Sequence, residues 1–320
     1  MKIVVVGGTG HVGTYMVPRL VAAGHEVVCL SRGAREPYSP HAAWASVRRV
    51  AIDREAEDKA GTFAGKVRDL EPDAVIDMVC FELGSAQQMV DALRGRVQHY
   101  LFCGSIWMHG YSVEVPTVED QLREPLEEYG IQKDAIDRYL ADQTRRTGFP
   151  ATSIHPGHIV GPGWLPVNPQ GNSNPEVFNA LARGEELTIP NMGLETVHHV
   201  HADDVAQLFV NALDRWSTAN GQGFHAVSPR AITLRGYAEA IAKWFGQPAR
   251  LRFEPFDEWK KSIADEYVRG TSSHIQHSPN CSIAKAQSLL GYEPRYTSLQ
   301  AVQEAVTWLI DQGTVHSPRK

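Results

Sequence analysis

The sequence predicts an α/β fold: a doubly wound parallel sheet with a smaller mixed α/β domain after it. Short β-branched, apolar runs recur through the first half of the chain, and segments with apolar residues at helical spacing lie between them. Strands that alternate with helices form a parallel sheet through right-handed crossovers. After Gly161 the sequence becomes rich in Pro, Gly and Asn, and shorter mixed elements follow.

Six strands are predicted for the sheet, because each is a short apolar run of the kind that is buried on both faces. In chain order they are KIVVV, HEVVCLS, SVRRVAI, DAVIDMV, HYLFC and ATSIHP. A first helix is predicted over HVGTYMVPRLVAAG, with Gly24 as its C-cap. Further helices are predicted around residues 66–70, 85–93 and 132–146.

The second half predicts a smaller domain built from the short strands ELTIP, TVHHVH, GFHAVS and ARLRF and from helices near 203–213, 234–245, 282–290 and 299–310. We assign residues 1–160 to the sheet domain and 161–320 mainly to the smaller one, with about 196–215 returning to the core of the first. Ligands of such folds bind outside the carboxyl edge of the sheet, so the smaller domain is expected to bind the substrate.

Composition narrows the classes of function. The chain of 320 residues has a formal net charge of -6, which gives no signature of a nucleic-acid partner. It holds no apolar run long enough to span a membrane, and Lys2 leads directly into a strand instead of a signal peptide. The four cysteines lack paired metal spacing, which predicts no metal site, buried free thiols and a reducing, cytoplasmic location.

The first motif is VVVGGTGHVG, in which Gly7, Gly10 and Gly13 follow the first strand and open a helix. Gly7 permits the tight turn, Gly10 lets the backbone approach a pyrophosphate, and Gly13 allows close packing of helix on sheet. This context predicts a Rossmann dinucleotide site, a turn without ligand being the alternative. The residues of this turn expected to contact the cofactor are Gly7, Thr9, Gly10, His11, Val12 and Gly13.

The end of the second strand bears on the choice of cofactor. Ser31 and Arg32 stand where NAD-binding proteins usually place an acidic residue for the ribose hydroxyls. A guanidinium suits a 2′-phosphate, so NADP is favoured over NAD, and a solvated loop arginine is the alternative. Asp53, after the third strand, is a candidate to receive the adenine amino group or to cap the next helix.

The second motif is EYGIQKDAIDRYL, where Tyr129 and Lys133 are four residues apart and share one helix face. Of the ten tyrosines, only Tyr129 has a lysine at this spacing. A nearby ammonium is expected to lower the pKa of the phenol and suit it to acid–base chemistry. The pair opens the helix after the fifth strand, and Ser105 follows the end of that strand.

An ordered set of short motifs resembles the extended short-chain dehydrogenases/reductases, also called the NAD-dependent epimerase/dehydratase family: GGTGHVG, FCGS, YGIQK, HPGHIVGPG, HHVHADDVA and SIAKAQSLLGYEPRY. The resemblance implies that Ser105 bonds the substrate oxygen, Tyr129 exchanges a proton and Lys133 bonds the nicotinamide ribose. It further implies a homodimer through the helices after the fourth and fifth strands. The remaining cofactor contacts that it implies are Met78, Val79, His155, Pro156 and Gly157.

Substrate contacts are predicted at four further residues: Trp107, His109, His158 and Trp164. Dehydratases of this family carry Thr-Asp-Glu where this chain has Ser105, Ile106 and Trp107, so elimination of water by that route is disfavoured. Trp107 is expected to form a stacking wall and His109 to hydrogen-bond the substrate, with packing beneath the loop as the alternative. His198, His199 and His201 are expected to make structural hydrogen bonds.

Together the motifs predict an NAD(P)-dependent oxidoreductase or epimerase that moves a hydride between nicotinamide and a carbinol or carbonyl carbon of a small polar, sugar-like substrate. The alternatives are a nucleotide-sugar 4-epimerase and, in another class, a non-catalytic dinucleotide-binding sensor or RNA-binding relative. Family members that use nucleotide sugars usually present an Asn and an Arg to the diphosphate. His158 and Val197 stand at those places here, which disfavours such a substrate; the alternative is that Arg183, Arg269 or Arg295 supplies the charge.

Overall fold

The computed structural model describes residues 1–33 and 36–316. Its strands are β1 (Lys2–Val6), β2 (Glu26–Ser31), β3 (Arg48–Ala51), β4 (Ala74–Asp77), β5 (His99–Cys103), β6 (Ala151–Pro156), β7 (His158–Val160), β8 (Glu186–Pro190), β9 (Thr196–Val197), β10 (His199–His201), β11 (Gly223–Ala226), β12 (Ile232–Thr233) and β13 (Arg250–Glu254). The six strands predicted for the sheet are confirmed within a few residues.

The α-helices of the described residues are α1 (His11–Ala22), α2 (Arg54–Lys59), α3 (Phe63–Arg68), α4 (Leu83–Leu93), α5 (Glu128–Thr147), α6 (Glu176–Arg183), α7 (Ala202–Asp214), α8 (Trp216–Ala219), α9 (Leu234–Trp244), α10 (Phe256–Trp259), α11 (Asp265–His277), α12 (Ala284–Leu290) and α13 (Ser298–Asp311). Among these described helices, none is long and apolar enough to cross a membrane.

The large sheet has the strand order β11-β6-β5-β4-β1-β2-β3, and its neighbouring strands run parallel. Alternation along each strand sends successive side chains to opposite faces. Ile3 and Val5 belong to a core shared with α1 and α7, whereas Val4 and Val6 belong to a core shared with α4 and α5. Helices therefore cover both faces, as expected for a doubly wound sheet.

The smaller unit has a hydrophobic core of its own. Phe178 of α6, Tyr237 of α9 and Val306 of α13 pack together with apolar residues of β8 and β9. Its strands form two-stranded pairs, β8 with β13 and β9 with β12. This unit carries α11 to the carboxyl edge of the large sheet, where the helix contributes to the cavity described below.

The prediction that the segment GFHAVS belongs to the smaller domain is wrong. Its strand β11 pairs with β6 and becomes the seventh strand of the large sheet within the described chain. β6 would otherwise leave its outer row of backbone N–H and C=O groups unpaired. Helix α12, predicted in the smaller domain, also adds Ala286 and Leu290 to a core of the large sheet. The boundary at residue 160 stays a prediction, and residues 317–320 lie outside the described residues.

Candidate active site

The glycine-rich turn after β1 is shaped to receive an anionic group. Gly7 has a φ of 83°, and the N–H of Gly10 donates to its carbonyl oxygen at 3.0 Å. Gly13 lies so close to Gly8 that a Cβ would stand 2.0 Å from the Gly8 oxygen. No side chain caps the N-terminus of α1 at Gly10, so the positive end of the helix dipole faces outward. These features fit a dinucleotide pyrophosphate.

The remaining residues of the predicted cofactor contact surround this turn. Thr9 and Val12 are buried in it. A Cβ on Gly7 would meet Val79 at 3.0 Å and Met78 at 3.3 Å, so the segment after β4 lies beside the turn. His11 turns away: its Nε2 lies 3.1 Å from the Pro162 oxygen.

The segment after β2 leaves the choice of cofactor open. Ser31 accepts a hydrogen bond from the N–H of Gly33 at 3.3 Å, and Arg32 is exposed. Arg32 makes no ion pair with the described residues, so its guanidinium is free to meet a phosphate there. Asp53 caps α2, accepting from the N–H of Ala56 at 3.2 Å, which is the capping alternative. Its role toward adenine stays a prediction.

Ser105 and Tyr129 meet at the carboxyl end of β5. Ser105 begins a 3₁₀ turn, Ile106–His109, and its Oγ accepts from the N–H of Trp107 at 3.1 Å. The side chains of Ser105 and Tyr129 lie close enough to interact, and both line the same cavity. Gly130 makes this approach feasible, because a Cβ there would stand 2.7 Å from the carbonyl oxygen of Trp107. The glycine inside YGIQK therefore lets α5 lie directly against the turn.

The pKa of Tyr129 differs from the sequence expectation. Although 46% of the residue surface is accessible, its phenol group is desolvated where it meets Ser105, and burial raises its pKa to about 12. The nearby Ser105 side chain acts in the opposite direction without offsetting the burial. The expected lowering of this pKa by Lys133 is wrong for this structure. At neutral pH Tyr129 is a protonated phenol, which can donate a proton to an oxygen placed beside Ser105.

Lys133 lies one turn further along α5 and is 1% exposed. Its Nζ donates to the carbonyl oxygens of Cys103 at 2.7 Å and Cys80 at 2.9 Å, at the ends of two neighbouring strand segments. Nζ also lies 5.7 Å from the centre of the Tyr129 ring, and burial lowers its pKa. The ammonium is thus directed at carbonyl groups of the scaffold, which explains why it does not acidify the phenol.

A cavity of about 540 Å³ opens above these residues. Its lining residues are Ser105, Trp107, Glu127, Tyr129, Gly157, His158, Arg269, Gly270, Ser273 and His274. Glu127 and Arg269 carry opposite charges, and neither is part of an ion pair in the part of the chain that the structure describes. The rest of the lining is uncharged and rich in aromatic and imidazole rings.

His158 stands out in this lining because no side-chain hydrogen bond engages it within the described residues. Its Nδ1 is buried and unpaired, and burial together with neighbouring imidazoles holds its pKa well below the ordinary value. His158 is therefore a neutral ring with hydrogen-bonding capacity left for a ligand. The backbone of Gly157 next to it approaches the His198 oxygen, where a Cβ would stand at 2.4 Å.

Trp107 forms one wall of the cavity. The His277 ring stacks on it at a centroid distance of 4.1 Å, and the rings of His158 and His274 meet it edge-on at 4.8 and 5.2 Å. Packing on several sides fixes the indole before any ligand arrives. This position matches the expectation of a stacking wall, whose contact with substrate stays a prediction.

Four further predicted site residues do not line this cavity. His109 is buried against His225, and His155 donates from Nε2 to Asp137 at 3.0 Å. Trp164 stacks on His11 at 4.9 Å, near the start of α1. Pro156 ends β6 within the sheet.

Helix α11 supplies three site residues that sequence reasoning missed, Gly270, Ser273 and His274, together with Arg269, which the sequence indicates as an alternative partner for a diphosphate. All four reach the cavity from this helix. No motif marks them, and the spacing of three between His274 and His277 is the signal that could have drawn attention. His198, His199 and His201 make structural hydrogen bonds as expected, to Ser228, Val167 and Glu304. Within residues 1–33 and 36–316, no group of three or more His, Cys, Asp or Glu is placed to hold a metal ion.

The doubly wound sheet, its glycine-rich turn and the cavity at its carboxyl edge define a protein built to bind a dinucleotide beside a small-molecule site. The model of the NAD dependent epimerase/dehydratase family matches residues 3–224, and the chain belongs to this family. It is accordingly an NAD-dependent enzyme of the extended short-chain dehydrogenase/reductase type.

Named relatives are similar over nearly the whole chain. The chloroplast stem-loop binding protein of 41 kDa b from Arabidopsis thaliana is 25% identical, over 98% of this chain and 80% of its own length. The 2'-dehydrokanamycin reductase of Streptomyces kanamyceticus is 28% identical, over 98% and 86%. The crystal structure of UDP-glucose 4-epimerase with UDP-glucose from Thermotoga maritima superimposes with a TM-score of 0.74 at 18% identity, covering 98% of this chain and 99% of that one.

Proposed function

We propose that this enzyme moves a hydride between nicotinamide and a carbinol or carbonyl carbon of a small polar, sugar-like substrate, and that Ser105, Tyr129 and Lys133 are its catalytic set. The proximity of the Ser105 and Tyr129 side chains at the cavity carries this proposal. It brings a protonated phenol and a second hydroxyl to one substrate oxygen. Lys133, one turn along the same helix, completes the set.

Each residue has a distinct task in the proposed reaction. Ser105 orients the substrate oxygen, and Tyr129 gives its proton to that oxygen in reduction or receives it in oxidation. Lys133 holds the ends of two strand segments together and lies where the family places the ribose-binding lysine. The dinucleotide, when bound, supplies or accepts the hydride. Its pyrophosphate would be held by the glycine turn, and Arg32 would favour NADP over NAD.

The substrate class follows from the charges of the lining. His158 and Val197 occupy the places where relatives that use nucleotide sugars usually present an amide and a guanidinium, and Val197 is fully buried. A neutral imidazole and a valine offer no charge to a diphosphate, which leaves Arg269 as the cation of the lining that an anionic substrate would meet. The Trp107 wall and the unpaired His158 suit a ring with hydroxyl groups. The relative named 2'-dehydrokanamycin reductase shows by its name that a reductase of a sugar-containing compound occurs among similar proteins.

RNA binding is a second candidate, because a relative named as a stem-loop binding protein matches 98% of the chain. The net charge of -6 disfavours it, since most RNA affinity comes from cationic contacts with phosphates. Turnover and RNA binding are separate measurements, so the two candidates can be told apart. We also expect a homodimer, to be checked by light scattering, and a cytoplasmic site of action, in keeping with four free, buried thiols.

The deciding experiment is a turnover screen read by the absorbance of reduced nicotinamide. NADPH and NADH are combined with neutral keto sugars and lactones, and NADP and NAD with the corresponding alcohols. UDP-glucose, UDP-galactose and the dTDP and GDP sugars are titrated separately into the cofactor-loaded protein. We expect turnover of a neutral substrate and no micromolar binding of nucleotide sugars. Tight, diphosphate-dependent binding of a nucleotide sugar would contradict the substrate class and support a 4-epimerase.

A further inference from the structure

The turn that carries Ser105 and Trp107 ends in a buried pair of histidines. Nε2 of His109 lies 2.8 Å from Nε2 of His225 on β11, and the rings meet edge-to-face with centroids 5.0 Å apart. His109 is 6% exposed and His225 fully buried, so neither ring reaches the cavity. The proposed reaction gives this pair no task.

The surroundings of the pair allow one placement of its protons. Nδ1 of His225 lies 3.0 Å from the carbonyl oxygen of Ser282, which can only accept, so this nitrogen carries a hydrogen. Burial holds the pKa of His225 well below its ordinary value, so the ring is neutral and its Nε2 presents a lone pair. Nε2 of His109 is therefore the donor. Nδ1 of His109 is then a buried lone pair without a partner in the described structure.

Both ends of the pair are anchored to the rigid part of the fold. The backbone N–H of His225 donates to Oε1 of the buried Glu119 at 3.0 Å. On the other side, the N–H of Glu124 donates to the carbonyl of His109 at 3.3 Å. Gly110 follows with a φ of 72°, and a Cβ there would stand 1.9 Å from the Glu124 oxygen. The end of the turn therefore has little freedom while the imidazole bond is intact.

Ser105 is coupled to that end within a single turn of chain. The N–H of Met108 points to the Ser105 carbonyl at 3.4 Å, and the N–H of Trp107 to the Ser105 Oγ at 3.1 Å. A shift of His109 would move the whole turn, and with it the hydroxyl that faces Tyr129. Small displacements of an orienting group lower turnover steeply, by up to about 100-fold for 1 Å.

We propose that His109 is a positioning residue whose hydrogen bond to His225 fixes Ser105 and Trp107 against Tyr129. The inference rests on the proposed catalytic set and assigns a task to a histidine remote from the reacting atoms. It joins the catalytic turn to a strand more than a hundred residues further along the chain.

The test compares two substitutions of His109. His109→Gln keeps an N–H donor of similar reach, whereas His109→Met fills the space without one. We expect His109→Met to lower kcat about 10- to 100-fold, with the KM and the Kd of the cofactor within about twofold, and His109→Gln to restore kcat to within about threefold. His99→Met is the matched control, since it removes a buried imidazole bond to Thr152 at the other end of β5, and should leave kcat unchanged.

A double-mutant cycle shows whether His109 acts through Ser105. In a Ser105→Ala background, His109→Met should lower kcat by less than about twofold, because the group it positions is gone. An undiminished effect in that background, or a normal kcat for His109→Met alone, would overturn the proposal. Tyr129→Phe, measured alongside, tests the catalytic set separately from the role of His109. Full turnover of that variant would show that the proposed catalytic set is wrong.

A measurement on the unmodified protein guards against variants that fail to fold. Imidazole nitrogen NMR should find the hydrogen of His225 on Nδ1 and that of His109 on Nε2. A hydrogen on Nδ1 of His109, or none shared between the two Nε2 atoms, would overturn the proposal without any enzyme assay.

Discussion

Two groups of histidines lie around the turn that begins at Ser105. The sealed group is His109, His155 and His225, and each ring contacts a defined polar atom: Nε2 of His225, Oδ1 of Asp137 and the carbonyl of Ser282. The cavity group, His158 and His274, lines the candidate site. His158 has no such partner among the described residues.

His109, His155 and His225 are buried, whereas His158 and His274 are partly accessible to solvent. Charge does not separate the two groups, because desolvation lowers the pKa of His109 to about 3 and that of His274 to about 4, so both rings are neutral at neutral pH. Partnership sets His158 apart even within its own group, since Nδ1 of His274 lies 2.6 Å from the Gly270 oxygen. A buried polar group without a protein partner is costly unless a ligand or water completes it. The unpaired imidazole of His158 beside the cavity therefore indicates ligand contact.

Acid should produce the largest effect, a loss of folding stability. Buried histidines should contribute to this loss in every part of the fold. Burial lowers the pKa of both His99 and His198 to about 4. In the unfolded chain these histidines bind protons at about pH 6.5. The stability that depends on their neutral form is therefore fully present above that pH and is lost as the pH falls toward 4. Each such histidine should lower the free energy of unfolding by about 3 kcal/mol between pH 6.5 and pH 4.

Urea unfolding at pH 7 and pH 5 measures this loss. His99→Gln should remove about 2 kcal/mol of the difference between the two pH values, because glutamine does not titrate. The control, His41→Gln, changes an exposed histidine and should leave the difference unchanged. Equal stability of the unmodified protein at both pH values would contradict the neutral, buried state of these rings.

Tyr129→Phe tests whether the cavity side is the catalytic side. Removing the hydroxyl deletes the proton that moves and keeps the ring, so turnover should fall at least about 100-fold. Binding of the cofactor, measured by fluorescence titration, should change little. Near-normal turnover would show that the Ser105–Tyr129 pair is not the catalytic centre.

Arg32→Ala probes a site distant from both histidine groups. If Arg32 holds a 2′-phosphate, the variant should bind NADP more weakly by about 1.5–3 kcal/mol and NAD as before. Calorimetry with both cofactors measures this. Equal affinities of the unmodified protein for NADP and NAD would leave Arg32 as a surface residue.

His158→Phe should give the smallest effect and the sharpest contrast with the sealed group. Loss of one neutral hydrogen bond to substrate should raise the KM about 3- to 10-fold, with kcat little changed. His99→Gln, which alters a paired histidine inside the sheet, should leave the KM unchanged. An unaltered KM in His158→Phe would mean that an unpaired imidazole in this cavity does not contact the substrate.

Local sequence was enough for the first six strands, the glycine turn and the pair Tyr129–Lys133. Each depends on spacings of a few residues: the alternation of β-branched runs, the interval between glycines, and one turn of helix. Ser105 was found in the same way, since it directly follows a buried strand. These features appear in the structure at the predicted places because neighbouring residues impose them.

Other features depended on partners far away in the chain. GFHAVS has the pattern of any short strand, and only the open edge of β6 placed it in the large sheet. The rise in the pKa of Tyr129 comes from packing around its hydroxyl, which residue spacing does not record. His109 and His158 each follow a strand of the large sheet, and the sequence predicts a substrate contact for both. His109 met His225, 116 positions further on, whereas His158 was left facing the cavity, because hydrogen bonding in a folded interior depends on proximity in space.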